Sequence, residues 1–127
     1  MFLTTRRLPV LLGVCLLGAL SGADGAEPLR LRVSPEASFA PGFVKVQVSI
    51  EADAENRRLE VVAASPDFYR SSEVDIDGAG APRLSVFEFR GLPAGEYQFT
   101  GILTGTHGPR ATAFRFAKVV PSLGSSR

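Results

Sequence analysis

Residues 89–101 read FRGLPAGEYQFTG, two runs of alternating aromatic and polar residues joined through a proline and a glycine. In an extended chain successive side chains point to opposite faces, so Tyr97, Phe99, Gly101 and Leu103 fall together on one side of a strand. Pro93 presets a turn dihedral and Gly95 tolerates one, so the chain between the runs must bend. The stretch is a corner where one strand hands over to the next, not the lip of a site. Phe89, Leu92, Tyr97 and Phe99 are its inward packing residues.

The same alternation recurs on both sides of the corner. FVKVQVSIE (43–51) sets Val44, Val46, Val48 and Ile50 against Lys45, Gln47, Ser49 and Glu51, a period of two that marks a half-buried strand. LRLRVS (29–34), RLEVVAAS (58–65), YRSSEVDID (69–77), LSVFEFR (84–90), EYQFTGILT (96–104) and RATAFRFAKVV (110–120) read the same way. Between them lie SPEASFAPG, ADAENRR, DGAGAP, GLPAG and GTHGP, rich in the residues that set turn dihedrals. No window carries an apolar stripe at helical spacing. Short strands separated by turns predict an all-β fold, a seven-stranded antiparallel immunoglobulin-like sandwich with Greek-key connections. A small β-barrel is the alternative.

The corner supports this architecture by resemblance. Leu92, Pro93, Gly95 and Tyr97 resemble the corner of immunoglobulin-like sandwiches, and the wider F-x-F-x-G-L-P-A-G-x-Y pattern is similar to prealbumin-like, carboxypeptidase regulatory-like domains. SP…APG before a strand and NRRLEV after it resemble bacterial immunoglobulin-like and fibronectin-type modules. The resemblance implies that the Tyr97 hydroxyl bonds back to upstream backbone. Two departures stand out: Phe99 occupies the place of the usual cysteine, and the chain has no tryptophan. Phe99 is then expected to fill by packing the space of a disulfide.

The chain has 127 residues, room for one domain. It opens MFLTTRRLPVLLGVCLLGALSGADGA, with Arg6 and Arg7 ahead of an apolar run from Leu8 to Leu20 and small residues after it. That order is the pattern of an export signal peptide, and the run is shorter than the roughly 20 residues of a bilayer span. Residues 1–26 are predicted as signal peptide, cut between 23 and 26, with the sandwich over 27–120 and a flexible tail over 121–127. The implied location is periplasmic or extracellular, with no membrane insertion after leader cleavage. Cys15, the one cysteine, lies in the leader, so the remainder has neither disulfide nor thiol nucleophile. A formal net charge of +1 gives no electrostatic argument for nucleic acid.

Catalytic chemistry is poorly supplied. His107, the single histidine, sits in GTHGPR, a hairpin loop between the last two strands. One histidine without cysteines cannot assemble the usual zinc ligands. Glu73, Asp75 and Asp77 alternate along one strand face and lead into a turn, where calcium would find oxygen ligands. Their spacing departs from a calcium loop, and charges on an edge strand discourage aggregation. No catalytic residue, cofactor or metal is predicted. Arg30 and Arg32 are read as outward residues paired with carboxylates across the sheet, and Arg57-Arg58 as a solvated turn. The candidate partner-binding residues are Tyr69 and Arg70, an exposed aromatic beside a cation, together with Glu73 and Asp75. The functional expectation is an exported, non-enzymatic module that binds another envelope protein or acts as a structural accessory in the bacterial envelope. Carbohydrate or small-ligand binding is the alternative.

Overall fold

The computed structural model describes residues 27–122. The predicted signal peptide and the last five residues of the predicted tail lie outside the described residues. Eight strands form: β1 (Leu29–Ser34), β2 (Ala37–Phe39), β3 (Gly42–Ile50), β4 (Asn56–Ser65), β5 (Phe68–Asp75), β6 (Leu84–Leu92), β7 (Gly95–Gly105) and β8 (Gly108–Val120). A 3-10 turn, Gly78–Gly80, lies between β5 and β6. One sheet has three strands in the order β1-β3-β6, and the other has five in the order β2-β8-β7-β4-β5. The two layers make an all-β, immunoglobulin-like sandwich rather than a closed barrel. The chain crosses between sheets five times, from β1 to β2, β2 to β3, β3 to β4, β5 to β6 and β6 to β7.

Seven strands are those that the alternation predicts. The eighth corrects the count and the wholly antiparallel expectation: Ala37–Phe39 lies in a stretch read as a turn and pairs parallel with β8. Three residues between prolines carry no periodic signal, and their partner stands at the far end of the chain.

The core lies between the layers. Leu31, Val46, Val48 and Phe89 from the smaller sheet meet Leu59, Val61, Tyr97, Phe99 and Leu103 from the larger, all of them buried. Phe99 is fully buried and meets Phe89 edge-on, with centroids 5.6 Å apart, so packing occupies the middle of the sandwich. Gly101 makes room where Leu31 crosses β7, because a Cβ there would force the Leu31 side chain to shift. At the far end of β7, Asn56 is the one buried polar residue among those described. Its amide nitrogen donates to the Glu51 carbonyl at 3.0 Å, and its oxygen accepts from Arg110 at 2.6 Å. Arg110 also reaches Asp53 at 2.9 Å. This fastens the loop before β4 to β8 and satisfies the buried amide.

Candidate functional site

β4, β7 and β8 turn one face to the core, and the other has no second layer over it. Strand register arranges the outward residues in rows across β5, β4, β7 and β8. Tyr69, Ala64, Gln98 and Phe116 form one row, followed by Ser71, Val62, Thr100 and Phe114. The third row is Glu73, Glu60, Ile102 and Thr112. Tyr69 is 68% exposed and Phe116 65% exposed. Phe39, at the β2 margin, also faces outward, so every exposed Phe or Tyr among the described residues stands on this one face. Exposed aromatic side chains sharing one sheet face make this face the candidate functional surface among the described residues.

The face is not flat. Small Ala64 and the flexible Gln98 lie between the two aromatics of their row, leaving a hollow of about 690 Å³ beside Phe116. Glu36, Glu96 and Lys118 stand at its rim, and the β4–β5 turn at Ser65 and Pro66 closes one side. Further along the face, Glu60 and Glu73 lie directly opposite each other on β4 and β5. Neither has an ion-pair partner among the described residues. Like charges so placed destabilise a sheet, and a cation brought to them from outside removes that cost. Arg58 instead reaches Asp75, at 3.6 Å between exposed side chains.

Three of the four candidate partner-binding residues, Tyr69, Glu73 and Asp75, share this face, whereas Arg70 does not. It stands opposite buried Ala63, on the other side of β5. There its guanidinium lies 5.0 Å from the Phe68 ring centroid and donates to the Arg90 carbonyl at 2.7 Å. Adjacent strand residues point to opposite faces, so Tyr69 and Arg70 cannot act as one anchor. Arg70 closes the open side of the sandwich by tying β5 to β6.

Behind Arg70 the corner is built as a chain of rings. Phe68 meets Tyr97 edge-on at 6.0 Å, and Tyr97 lies 6.2 Å from Phe99. The Tyr97 hydroxyl donates to the Pro93 carbonyl at 2.7 Å, which pins the crossing from β6 to β7. Burial raises the Tyr97 phenol above its ordinary 10.0, against lesser lowering by a Ser65 hydrogen bond and the Arg70 charge. The phenol is therefore a neutral structural donor at physiological pH.

The remaining candidates are dispersed. His107 is exposed in the β7–β8 turn, beside the hydrogen-bonded Thr106 and Glu55 side chains. Asp77 precedes the 3-10 turn. Among the described residues no group of three or more His, Cys, Asp or Glu side chains gathers as metal ligands. Arg57 donates to the Ala54 and Asn56 carbonyls, and both Arg57 and Arg58 belong to β4 rather than to a turn. Sequence reasoning missed the hollow and the Asn56–Arg110 contact. Both depend on strands brought together from distant parts of the chain, and only the aromatic pair Phe114 and Phe116 signals the first of them.

No protein-family model matches the chain, and neither does any curated protein. Solved structures do match. A superoxide reductase (neelaredoxin) from Ignicoccus hospitalis aligns with a TM-score of 0.59 at 16% identity, covering 73% of this chain and 80% of that one. Its E23A variant aligns with a TM-score of 0.60 at 20% identity, over 80% and 86%. The sulfur carrier protein SoxY from Chlorobium limicola f thiosulfatophilum aligns with a TM-score of 0.53 at 14% identity, over 85% of this chain and 98% of that one. At such identities the likeness is one of fold. It corrects the functional expectation all the same. The matched structures are a superoxide reductase and a sulfur carrier, which overturns the expectation of a non-enzymatic module acting in protein binding or as a structural accessory, or of one taking carbohydrate or a small ligand. The expectation failed because it rested on missing catalytic motifs, which say nothing of the work a fold does.

Proposed function

We propose that this chain is a carrier-side component of a redox or sulfur-transfer system in the cell envelope, working through the outward face of its five-stranded sheet. The observation that carries the reading is that uncovered aromatic face, on a fold shared with a superoxide reductase and a sulfur carrier. The export-type leader supports the location, and the corner residues Leu92, Pro93, Gly95 and Tyr97 support an affinity to bacterial immunoglobulin-like modules.

The described residues supply the reactive group of neither activity. Carrying sulfur on a protein requires a thiolate, and one-electron chemistry requires a redox centre. Residues 27–122 contain no cysteine and one histidine, which fits neither group, so no step is routed through this chain. The reactive group is then supplied by the partner chain that this face meets. The partner's surface is apolar, to cover Phe114 and Phe116, and carries a lysine or arginine over Glu60 and Glu73. The hollow beside Phe116 admits a projecting side chain or short segment of that partner.

Deleting the gene in its host tests the reading. Turnover of reduced sulfur compounds or survival under superoxide stress is expected to fall and to return with the wild-type gene. A deletion strain that matches its parent in both readouts overturns it.

A further inference from the structure

The outward side of the other sheet is of a different kind. Arg30 and Arg32 lie two residues apart on one face of β1, and their register partners on β3 are Ser49 and Gln47. The carboxylates that would balance them across the sheet are absent from those positions, which corrects the ordinary explanation of the pair. Arg115, from β8 of the opposite sheet, turns into the same space. A hollow of about 490 Å³ is lined by Arg30, Arg32 and Arg115 with Gln47 and Ser49. Arg32 and Arg115 line a second hollow beside it, with Ser34 and Glu36. None of the three arginines has an ion-pair partner among the described residues, and the one hydrogen bond from Arg115 goes to its neighbour, the Phe114 carbonyl, at 2.7 Å.

We propose that Arg30, Arg32 and Arg115 form a binding site for a small divalent oxyanion of the sulfate, thiosulfate or phosphate class. Three guanidinium groups on one hollow repel one another until an anion stands between them. Each presents a planar fork of N–H donors that matches two oxygens of such an ion. The Gln47 amide and the Ser49 hydroxyl add neutral donors on the same wall. A doubly charged ion is favoured over chloride because it meets several forks at once, and the open hollow admits it without rearrangement of the strands.

Arg115 stands between Phe114 and Phe116 on β8 but turns to the other side of the strand, and the site needs no partner, so its test is independent of the carrier reading. The full chain is titrated calorimetrically with sodium sulfate, thiosulfate and phosphate at constant ionic strength in chloride. Saturable one-to-one binding is expected. The double change Arg32→Gln with Arg115→Gln should weaken it at least about tenfold, as befits the loss of charge-assisted bonds. Lys45→Gln, which removes a cation from the same outward face but not from the hollow, should leave the affinity unchanged. An equal loss with Lys45→Gln would mean that net charge alone attracts the ion, and would overturn the site. So would the lack of saturation by all three ions. Vesicles of phosphatidylglycerol form the last arm: binding to them without saturation by free phosphate assigns the arginines to a lipid headgroup and overturns a free-anion site. A melting temperature for the double variant, measured without added anion, that is no lower than the parent's shows that the loss lies in binding.

Discussion

The two faces of the five-stranded sheet are made by the same strands with the same alternation, yet they meet opposite fates. On the inward side Leu59, Val61, Tyr97, Phe99 and Leu103 are buried under the smaller sheet. On the outward side Phe114 and Phe116, on β8, stand half to two-thirds in water, with Val62, Ala64 and Ile102 beside them. Burial of an aromatic contributes stability in proportion to the apolar area removed from water, so the inward side holds the fold. The outward side keeps that energy unspent until something covers it. One side explains why the protein folds, and the other is the surface to which the proposed function is assigned.

That contrast can be broken by mutation, most forcefully with two phenylalanines. Phe99→Ala should cost about 3–5 kcal/mol, the usual range for a fully buried aromatic, whereas Phe116→Ala should stay within about 0.5 kcal/mol, as surface changes do. Chemical denaturation of the two variants decides it, and comparable losses would erase the distinction between the faces.

Next in size is the adjacent pair on β5. Arg70→Ala removes a bond to the Arg90 carbonyl and a cation over Phe68, and should cost about 1 kcal/mol. Tyr69→Ala on the other side should leave the melting temperature where it was. A neutral Arg70→Ala would return that residue to the pool of free surface anchors.

Tyr97→Phe should also cost about 1 kcal/mol by deleting the corner bond, and it carries a pH signature. The folded protein holds the phenolic proton more tightly than the unfolded chain, because burial raises the phenol above 10.0. That contribution is complete below pH 10 and disappears as pH rises through the folded value. The parent should therefore lose stability in alkali more steeply than the phenylalanine variant, and parallel alkaline curves would contradict a buried neutral phenol.

The smallest effect belongs to the outward face. Glu73→Lys turns the opposed Glu60–Glu73 pair into an attractive one and should stabilise the chain by about 0.5 kcal/mol at low salt, fading as salt is added. Unchanged stability at low salt would mean that the two carboxylates do not feel each other.

Most of the architecture was legible because alternation is local. Val44 to Ile50 and Tyr97 to Leu103 declare their buried sides within nine residues, and Pro93 and Gly95 mark the bend. Strand β2 was not legible, since Ala37–Phe39 is held by residues 118–120 rather than by its own pattern. Asn56 and Arg110 read as turn and strand end, and their contact spans 54 positions of sequence. The candidate site was legible only in pieces. Phe114 and Phe116 were visible on β8, but the row from Tyr69 through Ala64 and Gln98 to Phe116 needs three registers at once. The inward side of Arg70 was within reach, because it follows from placing Tyr69 outward. The oxyanion hollow was hidden for the same reason as the row, since Arg115 joins Arg30 and Arg32 only when the two sheets meet.

The most direct test of the central claim is complementation of the deletion strain with the double variant Phe114→Ser and Phe116→Ser, alongside Leu84→Ser on the outward side of the smaller sheet. Both proteins should accumulate and melt as the parent does. The Leu84 variant should restore sulfur turnover or superoxide survival, and the double variant should not. Full restoration by the double variant, at parental protein levels, would contradict the claim that the aromatic face is the working surface.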